Sequence, residues 1–461
     1  MKRLFIIATL FAATFTSYSQ TLEYKNLALI FSQDDLNGSA RFTAMSGAFG
    51  AIGGDISSIN INPAGLAVYK NSAFSGTFNS RNTEITSTYY GNPVTTQDQI
   101  FNISHAGAVL VFDSTYSSEW SKFAIGFNYR ITKDFNDSFI SQGNSGVATF
   151  TNFPLDNSAN PINYNIGEEQ IFNNIYNGEI SELNIAFSAV HLNKLYIGAS
   201  FNAYDLNFSQ RSTLTEFNND GNGNELDANF YQENITTGTG FSLNAGFIYK
   251  LHPSFRAGLS YQTPSWFTDV LEISNKTNND GYFGDTEIIV SNDNRIYDNT
   301  AGGYFPTREI FYKLKTPSKL TASAAFIFGK KGLISLDYTN KNYRNIKLSN
   351  GYFVEENQFF QNNLRNTHSF NLGTEWRVDR LSIRGGYRFE QSPYKNALGS
   401  DDLEGYSFGG GYNFGNMKID ISYSNNNRTS SYNFYPQFNN VNPADLKLDN
   451  KTITATLTLS L

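Results

Sequence analysis

The C-terminal stretch Lys451–Leu461 alternates strictly. Ile453, Ala455, Leu457, Leu459 and Leu461 fall on one face; Thr452, Thr454, Thr456, Thr458 and Ser460 fall on the other. A period of two means a strand with one apolar and one polar side. The same alternation recurs upstream. Phe123, Ile125, Phe127, Tyr129 and Ile131 oppose Ala124, Gly126, Asn128 and Arg130. Phe241, Leu243, Ala245, Phe247 and Tyr249 oppose Ser242, Asn244, Gly246 and Lys250. Leu381, Ile383, Tyr387 and Phe389 oppose Ser382, Arg384, Arg388 and Glu390, and Tyr406, Phe408, Tyr412 and Phe414 oppose Ser407, Gly409, Gly411 and Asn413. Strands are predicted near 72–81, 103–113, 121–139, 181–191, 195–210, 239–251, 255–272, 310–328, 333–345, 367–377, 381–391, 404–414, 417–427 and 451–461. The second is the least patterned, because "SHAGAVLVF" is apolar on both faces.

Any one of these segments suits a half-buried strand of a soluble sandwich. The connections argue otherwise. Short ones ("NK", "HPS", "GKKG", "VDR", "GN") alternate with long ones at Ser141–Glu179, Arg211–Thr237, Asn275–Thr307 and Ile346–Asn366. Brief turns at one end and extended loops at the other are the habit of outer-membrane barrels. Composition points the same way. Charged residues are 16% of the chain, against about 25% in soluble domains, while aromatics reach 15% and mean hydropathy is still −0.38. A lipid-facing apolar surface backed by a polar lumen gives that mixture. The expectation is an all-β fold, a transmembrane antiparallel β-barrel of about 14 strands. An even count closes the sheet and removes its edges, as a bilayer demands.

The first residues, "MKRLFIIATLFAATFTSYSQ", combine a basic start (Lys2, Arg3) with a short apolar run and small residues at Ser17 and Ser19. This reads as a secretory signal over residues 1–19, too short in its apolar part to span a bilayer. Localisation to the outer membrane of a Gram-negative cell follows, with both termini periplasmic. Cys is absent, so packing and backbone bonds must hold the exported chain together. The net charge of −7 includes no basic block, and no nucleic-acid partner is expected.

Between the signal and the first strand lies a glycine- and alanine-rich stretch ending in "DISSININPAGLAVYK". A polar lumen can hold such a tightly turning chain. Residues 20–70 are therefore read as an N-terminal hatch, or plug, and 71–461 as the barrel. Here the residues carry a resemblance. Ala40-Arg41, Ala44-Met45-Ser46-Gly47-Ala48-Phe49, Asp55 and Asn62-Pro63-Ala64-Gly65 before a strand resemble the start of the FadL/TodX family. "AGLSYQTP" and "TPSKLTASAAFIFG" are similar to that family's middle strands. The resemblance implies passive outer-membrane uptake of long-chain fatty acids or other hydrophobic compounds. It places a hatch motif at Asn62, Pro63, Ala64 and Gly65, and a lateral exit into lipid where strand 3 kinks. Gly126 is the kink candidate, or a position that makes room for a bulky neighbour. A second Asn-Pro-Ala, at Asn442–Ala444, reads as an ordinary loop turn.

Other chemistry finds little footing. His105, His191, His252 and His368 are scattered, no hydrolase or zinc motif is present, and His105 and His368 read as solvated interfacial residues. No catalytic residue, metal site or cofactor is expected. "DDLNG" (Asp34–Gly38) and "NNDGNGNELD" (Asn218–Asp227) only faintly resemble calcium loops and read as flexible polar loops. Arg130, Lys250, Arg384 and Arg388 sit on polar faces. They are candidates for a ligand's carboxylate head group, or for pairing with lumen carboxylates such as Glu390. Phe359 and Phe360 could gather apolar ligand outside or pack within their loop. The expected partners are a hydrophobic small molecule, fatty acid or aromatic, and outer-membrane lipid around a monomer. The alternative function is a non-transporting scaffold barrel of a secretion system; an open porin is disfavoured by the N-terminal segment.

Overall fold

The computed structural model describes residues 21–461 except 115–118, 150–151, 154–161, 275–284, 291–295, 299–307 and 437. The expected signal lies outside the described residues. The wall consists of β1 (Ala73–Tyr89), β2 (Asn92–Asp113), β3 (Trp120–Asp134, resumed at Asp137–Gly143), β4 (Ile166–His191), β5 (Leu195–Asn219) and β6 (Glu225–His252). It continues through β7 (Phe255–Gln262, resumed at Trp266–Ser274), β8 (Arg308–Lys315, resumed at Lys319–Ile327), β9 (Gly332–Asn342) and β10 (Asn366–Val378). The remaining strands are β11 (Leu381–Glu390), β12 (Leu403–Asn413), β13 (Met417–Tyr432) and β14 (Ala444–Ser460). Sequential neighbours pair antiparallel, and β1 also pairs with β14, with Ala73 opposite Ser460. The result is a closed 14-strand barrel. Closure pairs every wall strand on both sides, which lipid requires because it offers no hydrogen bonds.

The predicted faces are realised. Leu183, Ile185 and Phe187 of β4, Ile383 of β11 and Ile453 of β14 are exposed on the outer surface. Their sequence neighbours Asn184, Ser188, Arg384 and Thr454 are buried inside. Among the described residues no helix is long and apolar enough to cross a membrane; the crossing elements are strands.

Two expectations change. Much of what read as long loop is paired hairpin. Arg211–Thr237 is strand except at its tip, since β5 runs to Asn219 and β6 begins at Glu225. Its outward positions include Thr213 and Thr215, and Thr215 Oγ1 donates to Asn229 Oδ1 at 2.7 Å. Above the lipid the outer face turns polar, so the alternation fades while the pairing continues. Ser141–Glu179 likewise gives way to β4 from Ile166, and Ile346–Asn366 contains the helix Val354–Asn363. Most of Asn275–Thr307 lies outside the described residues. The second change concerns β2. It is apolar on both faces because its inner face is also covered: Val109 is packed with Ile56, Ile59 and Leu66 of the N-terminal segment.

That segment lies within the barrel. It contains α1 (Tyr24–Ile30), α2 (Ala40–Ala44) and two 3₁₀ turns, Ile56–Asn60 and Pro63–Val68. Polar caps begin the last three. Ser39 Oγ accepts from Phe42 N, Asp55 Oδ1 from Ser57 N at 3.0 Å, and Asn62 Oδ1 from Ala64 N at 3.2 Å. Nearly all of residues 38–67 is buried. The close packing needs glycine: Gly53 has φ of 62°, and a Cβ there would lie 2.6 Å from Gly65 Cα.

Candidate ligand passage

The Asn62-Pro63-Ala64-Gly65 turn sits at the wall. Asn62 Nδ2 donates to Gly50 O and to Phe247 O of β6, each at 2.9 Å. Two wall glycines make the space. A Cβ at Gly198 of β5 would come within 2.4 Å of Ala64 N, and one at Gly246 of β6 within 2.4 Å of Asn62 Oδ1. Pro63 sets the φ that starts the turn. The motif thus beds on β5 and β6, and the following Leu66 lies on β3, where it fills the space over Gly126 together with Ile59.

A buried ion network anchors the next part of the segment. Glu375 of β10 receives Arg41 of α2 and Arg384 of β11, each through Nε at 2.7 Å, and also contacts Arg377. Arg384 Nη1 reaches Asp420 of β13 at 2.7 Å, while Arg41 Nη1 donates to Gly54 O at 2.8 Å. The side chains of Arg384 and Glu375 are essentially inaccessible. Each charge is compensated, as burial requires.

Above this base an apolar cluster fills part of the lumen. Leu27, Ala28, Leu29 and Phe31 of α1 and its C-terminal end pack with Phe135, Phe208, Phe267, Tyr312 and Phe360, among others. Phe31, Phe135 and Phe208 form an edge-on triad, with centroids 5.0 to 5.7 Å apart. Higher still, Phe172 stacks on Phe434 at 4.6 Å, and Tyr435 Oη donates to Glu216 Oε1 at 2.7 Å.

Phe135 belongs to a break in the wall. The β2–β3 pairing runs from Asp113–Lys122 to His105–Arg130 and stops. The β3–β4 register shifts between Ile131 and Lys133, and β3 is interrupted at Phe135–Asn136. Residues 131–135 are all buried, so the chain turns into the lumen. Arg81 of β1 meets Asp134 and Asp137, each at 3.2 Å. Beside the break, Phe101 and Ile103 of β2 are exposed, and Phe101 stacks on Phe78 at 5.8 Å. A polar cavity lies against the inner side of the bend, with Asp35, Asn79, Arg81, Lys133, Asp134 and Arg428 in its lining.

The predicted site residues fall in different places. Gly126 is in regular pairing between Val109 and Ala186, and a side chain there would collide with Leu66 and Ile59; the bend begins five residues later. Arg130 is held by Glu182 at 2.7 Å, Arg384 by Glu375 and Asp420, and Arg388 by Glu390. Lys250 is at the opposite end of the wall, over the Tyr196 ring and near Asn193 O. His105 is not solvated: it is fully buried between Ser57 Oγ at 3.3 Å and Thr77 Oγ1 at 3.2 Å, at the seam of segment and wall. His368 is half-buried against Tyr338, whose hydroxyl lies 2.7 Å from its Nδ1. Phe360 is buried in the apolar lumen, and Phe359 packs on Tyr394. Among the described residues no group of His, Asp and Glu has the geometry of a metal site.

The sequence reading gave no role to Glu375 or Phe135 and used Arg41 only for the resemblance; Asp34–Gly38, read there as a flexible polar loop, is instead tied to Lys133, Lys319 and Lys341. One signal was present. Strict alternation would put Lys133 on the outer face with Tyr129 and Ile131, beside Phe101 and Ile103. A cation facing lipid is unfavourable, so the strand had reason to leave the wall there.

An apolar cluster packed inside a closed barrel, above a buried N-terminal segment, defines a plugged outer-membrane channel. Residues 27–450 match the family described as outer membrane protein transport protein (OMPP1/FadL/TodX), and the chain belongs to that family. The family is one of transport channels, not enzymes, and places the protein in the outer membrane. Solved structures with the same fold include a Pseudomonas aeruginosa FadL homologue (14% identity, 93% of this chain and 99% of that one, TM-score 0.57). The CymD monoaromatic hydrocarbon channel (13%, 92% and 98%, 0.54) and the P. putida toluene transporter TodX (14%, 93% and 99%, 0.53) are similar too. At these identities the likeness concerns the fold alone. No curated protein sequence matches the chain.

Proposed function

We propose that the protein takes up a hydrophobic compound, a long-chain fatty acid or an aromatic, by energy-independent passage through the barrel. In this reading residues 20–70 are the hatch. The ligand passes the aromatic upper lumen, occupies the apolar chamber around α1, and leaves sideways into the membrane at the bend of β3. The observation that carries it is the adjacency of three features: the apolar cluster around α1, the end of β2–β3 pairing at His105–Arg130, and the exposed apolar rim of Phe78, Phe101 and Ile103. Physical chemistry favours such a route. Moving an apolar solute into water costs about 0.8 kcal/mol per CH₂, and a lateral exit avoids that step. That a monoaromatic hydrocarbon channel, CymD, and a toluene transporter, TodX, share this fold supports the aromatic half of the proposal. The cations offered as head-group candidates are engaged with carboxylates or distant from the chamber, which favours ligands recognised by their apolar body.

The test joins two measurements. The intact protein is expected to show low conductance in planar bilayers together with saturable uptake of palmitate or toluene by expressing cells. Deleting Gln20–Ala67 should raise conductance. Large, steady channels from the intact protein would remove the plug reading. Low conductance without binding or uptake of either compound would remove the transport reading.

A further inference from the structure

At the short-turn end of the barrel, two adjacent hairpins carry a patch whose charge runs against that of the chain. The turn between β8 and β9 presents Lys330 and Lys331. The turn between β10 and β11 presents Arg380, with Arg377 just before it, and all four side chains are exposed. Both turns are tight. Lys331 N donates to Phe328 O at 3.1 Å, and Phe328 N to Gly332 O at 2.9 Å. Val378 pairs with Leu381, so Asp379 and Arg380 alone form the second tip, Asp379 with φ of 51°. The turns are also tied together, because Arg377 N donates to Lys331 O at 2.8 Å. Arg377 is engaged by Glu375. Among the described residues Lys330, Lys331 and Arg380 form no ion pair, although the net charge of the chain is −7.

Directly beside these tips the lipid-facing surface is aromatic. Trp376 points outward, 43% exposed; its ring stacks on Phe328 at 5.4 Å, and Phe326 lies 4.9 Å from Phe328. Gly332 makes the room. A Cβ there would come within 2.6 Å of Trp376 Cε3, so the indole lies across the base of the Lys330–Lys331 turn. Val378 and Leu381 flank Arg380 and are exposed on the same outer face. The cations thus begin within two residues of side chains that meet lipid, which at about 3.3 Å per residue is the level of the headgroups. Short turns of an outer-membrane barrel face the periplasm. The patch is local: the turn between β2 and β3, across the barrel, is flanked by Asp113 and Glu119, and Lys122 there is bonded to Tyr69 O at 2.8 Å.

We propose that these two turns bind an anionic phospholipid of the periplasmic leaflet. Lys330, Lys331 and Arg380 hold the headgroup phosphate, and the Trp376–Phe328 stack lies along the glycerol and the first part of the acyl chains. Cations without carboxylates attract a phosphate, and outward rings beside them favour a phosphate carried by lipid over one free in water. The site is across the barrel from the bend of β3 and does not depend on the transport reading.

Trp120→Phe with Trp266→Phe leaves Trp376 as the single indole of the chain. The full-length barrel with this pair is reconstituted in vesicles of phosphatidylcholine and phosphatidylglycerol in equal parts, with bromine on the acyl chains of one lipid or the other. Unbiased contact gives equal quenching of Trp376 by either brominated lipid. A lysine or arginine near the surface favours anionic lipid about fivefold, so the lipid ratio at Trp376 should favour phosphatidylglycerol about tenfold or more. Lys330→Gln, Lys331→Gln and Arg380→Gln together should bring that ratio near unity. Lys70→Gln with Lys194→Gln removes two exposed cations elsewhere at the same end and should leave it unchanged. Heat-resistant gel mobility reports folding; if the triple variant fails to fold, Lys330→Gln with Lys331→Gln is read in the same way. Equal quenching in the folded parent overturns the proposal and leaves the patch to a soluble acidic partner. A preference that survives the triple substitution, or that falls as far without Lys70 and Lys194, overturns the site at these turns. Loss of the preference on adding soluble glycerol phosphate would show that the headgroup binds without its chains, and overturns the assignment to lipid.

Discussion

The luminal segment is held in two ways. Its base, from Ser39 to Val68, is fitted to the wall by shape and charge: Gly198 and Gly246 receive the Asn62 turn, and Arg41 enters the Glu375–Arg384–Asp420 network. Its arm, from Tyr24 to Asn37, lies among aromatic and aliphatic side chains and reaches the bend through a few hydrogen bonds and ion pairs. The chemistry of the two differs. Moving the base would strand buried charges and polar groups, which is costly unless every partner moves with it. Within the arm, Asp34 and Asp35 are tied by ion pairs to Lys319, Lys341 and Lys133, but moving α1 and Phe31 alone mainly trades one apolar contact for another, which a hydrophobic ligand can replace at little net cost. A seal and a responsive element can therefore coexist in one segment.

The largest expected effect comes from removing the centre of the base. Glu375→Ala leaves Arg41, Arg377 and Arg384 without their shared carboxylate, and breaking a buried pair in this way costs about 3–5 kcal/mol. Conductance in planar bilayers should rise well above that of the parent, and the urea midpoint of the barrel should fall. A low-conductance Glu375→Ala protein would mean that the network does not hold the seal. Gly198→Val should do less. The new side chain meets the backbone at Ala64, and overpacking of this kind costs about 1–3 kcal/mol. Intermediate conductance with an intact barrel is the expected result, checked on the same bilayers and by heat-resistant mobility. The smallest change in conductance belongs to the arm. Phe31→Ala removes one ring of the triad with Phe135 and Phe208, yet leaves the base in place, so the protein should stay closed to ions. Its palmitate or toluene uptake should change instead, measured in the same expressing cells. If Phe31→Ala opened the channel as widely as Glu375→Ala, base and arm would act as one seal.

Much of the barrel was legible because lipid imposes a local code. Ile453–Leu461 and Leu183–Phe187 show it: apolar outside, polar inside, residue by residue. The Asn62-Pro63-Ala64-Gly65 turn was legible too, since Pro63 and the Asn62 cap act within four residues. The code failed where the environment changed without a local mark. Thr213 and Thr215 lie above the lipid and lose the apolar half of the pattern while staying paired. Val109 gains an apolar inner neighbour and looks ambiguous.

The sequence by itself determined which faces meet lipid, where the wall strands run and where the luminal segment turns, because these follow from period-two patterning and from the φ and capping preferences of a few residues. Partners inside the lumen were decided only by the tertiary structure. Glu182 and Glu375 are both acidic residues on inward faces, and nothing local says that one meets Arg130 and the other Arg41, 334 residues away in the chain. Nor does anything in "DDLN" announce that it will bond the backbone of β3. Closing the barrel sets strand register and brings opposite walls within reach of a folded-in segment, and burial then obliges each charge and backbone group to find whatever partner that geometry supplies.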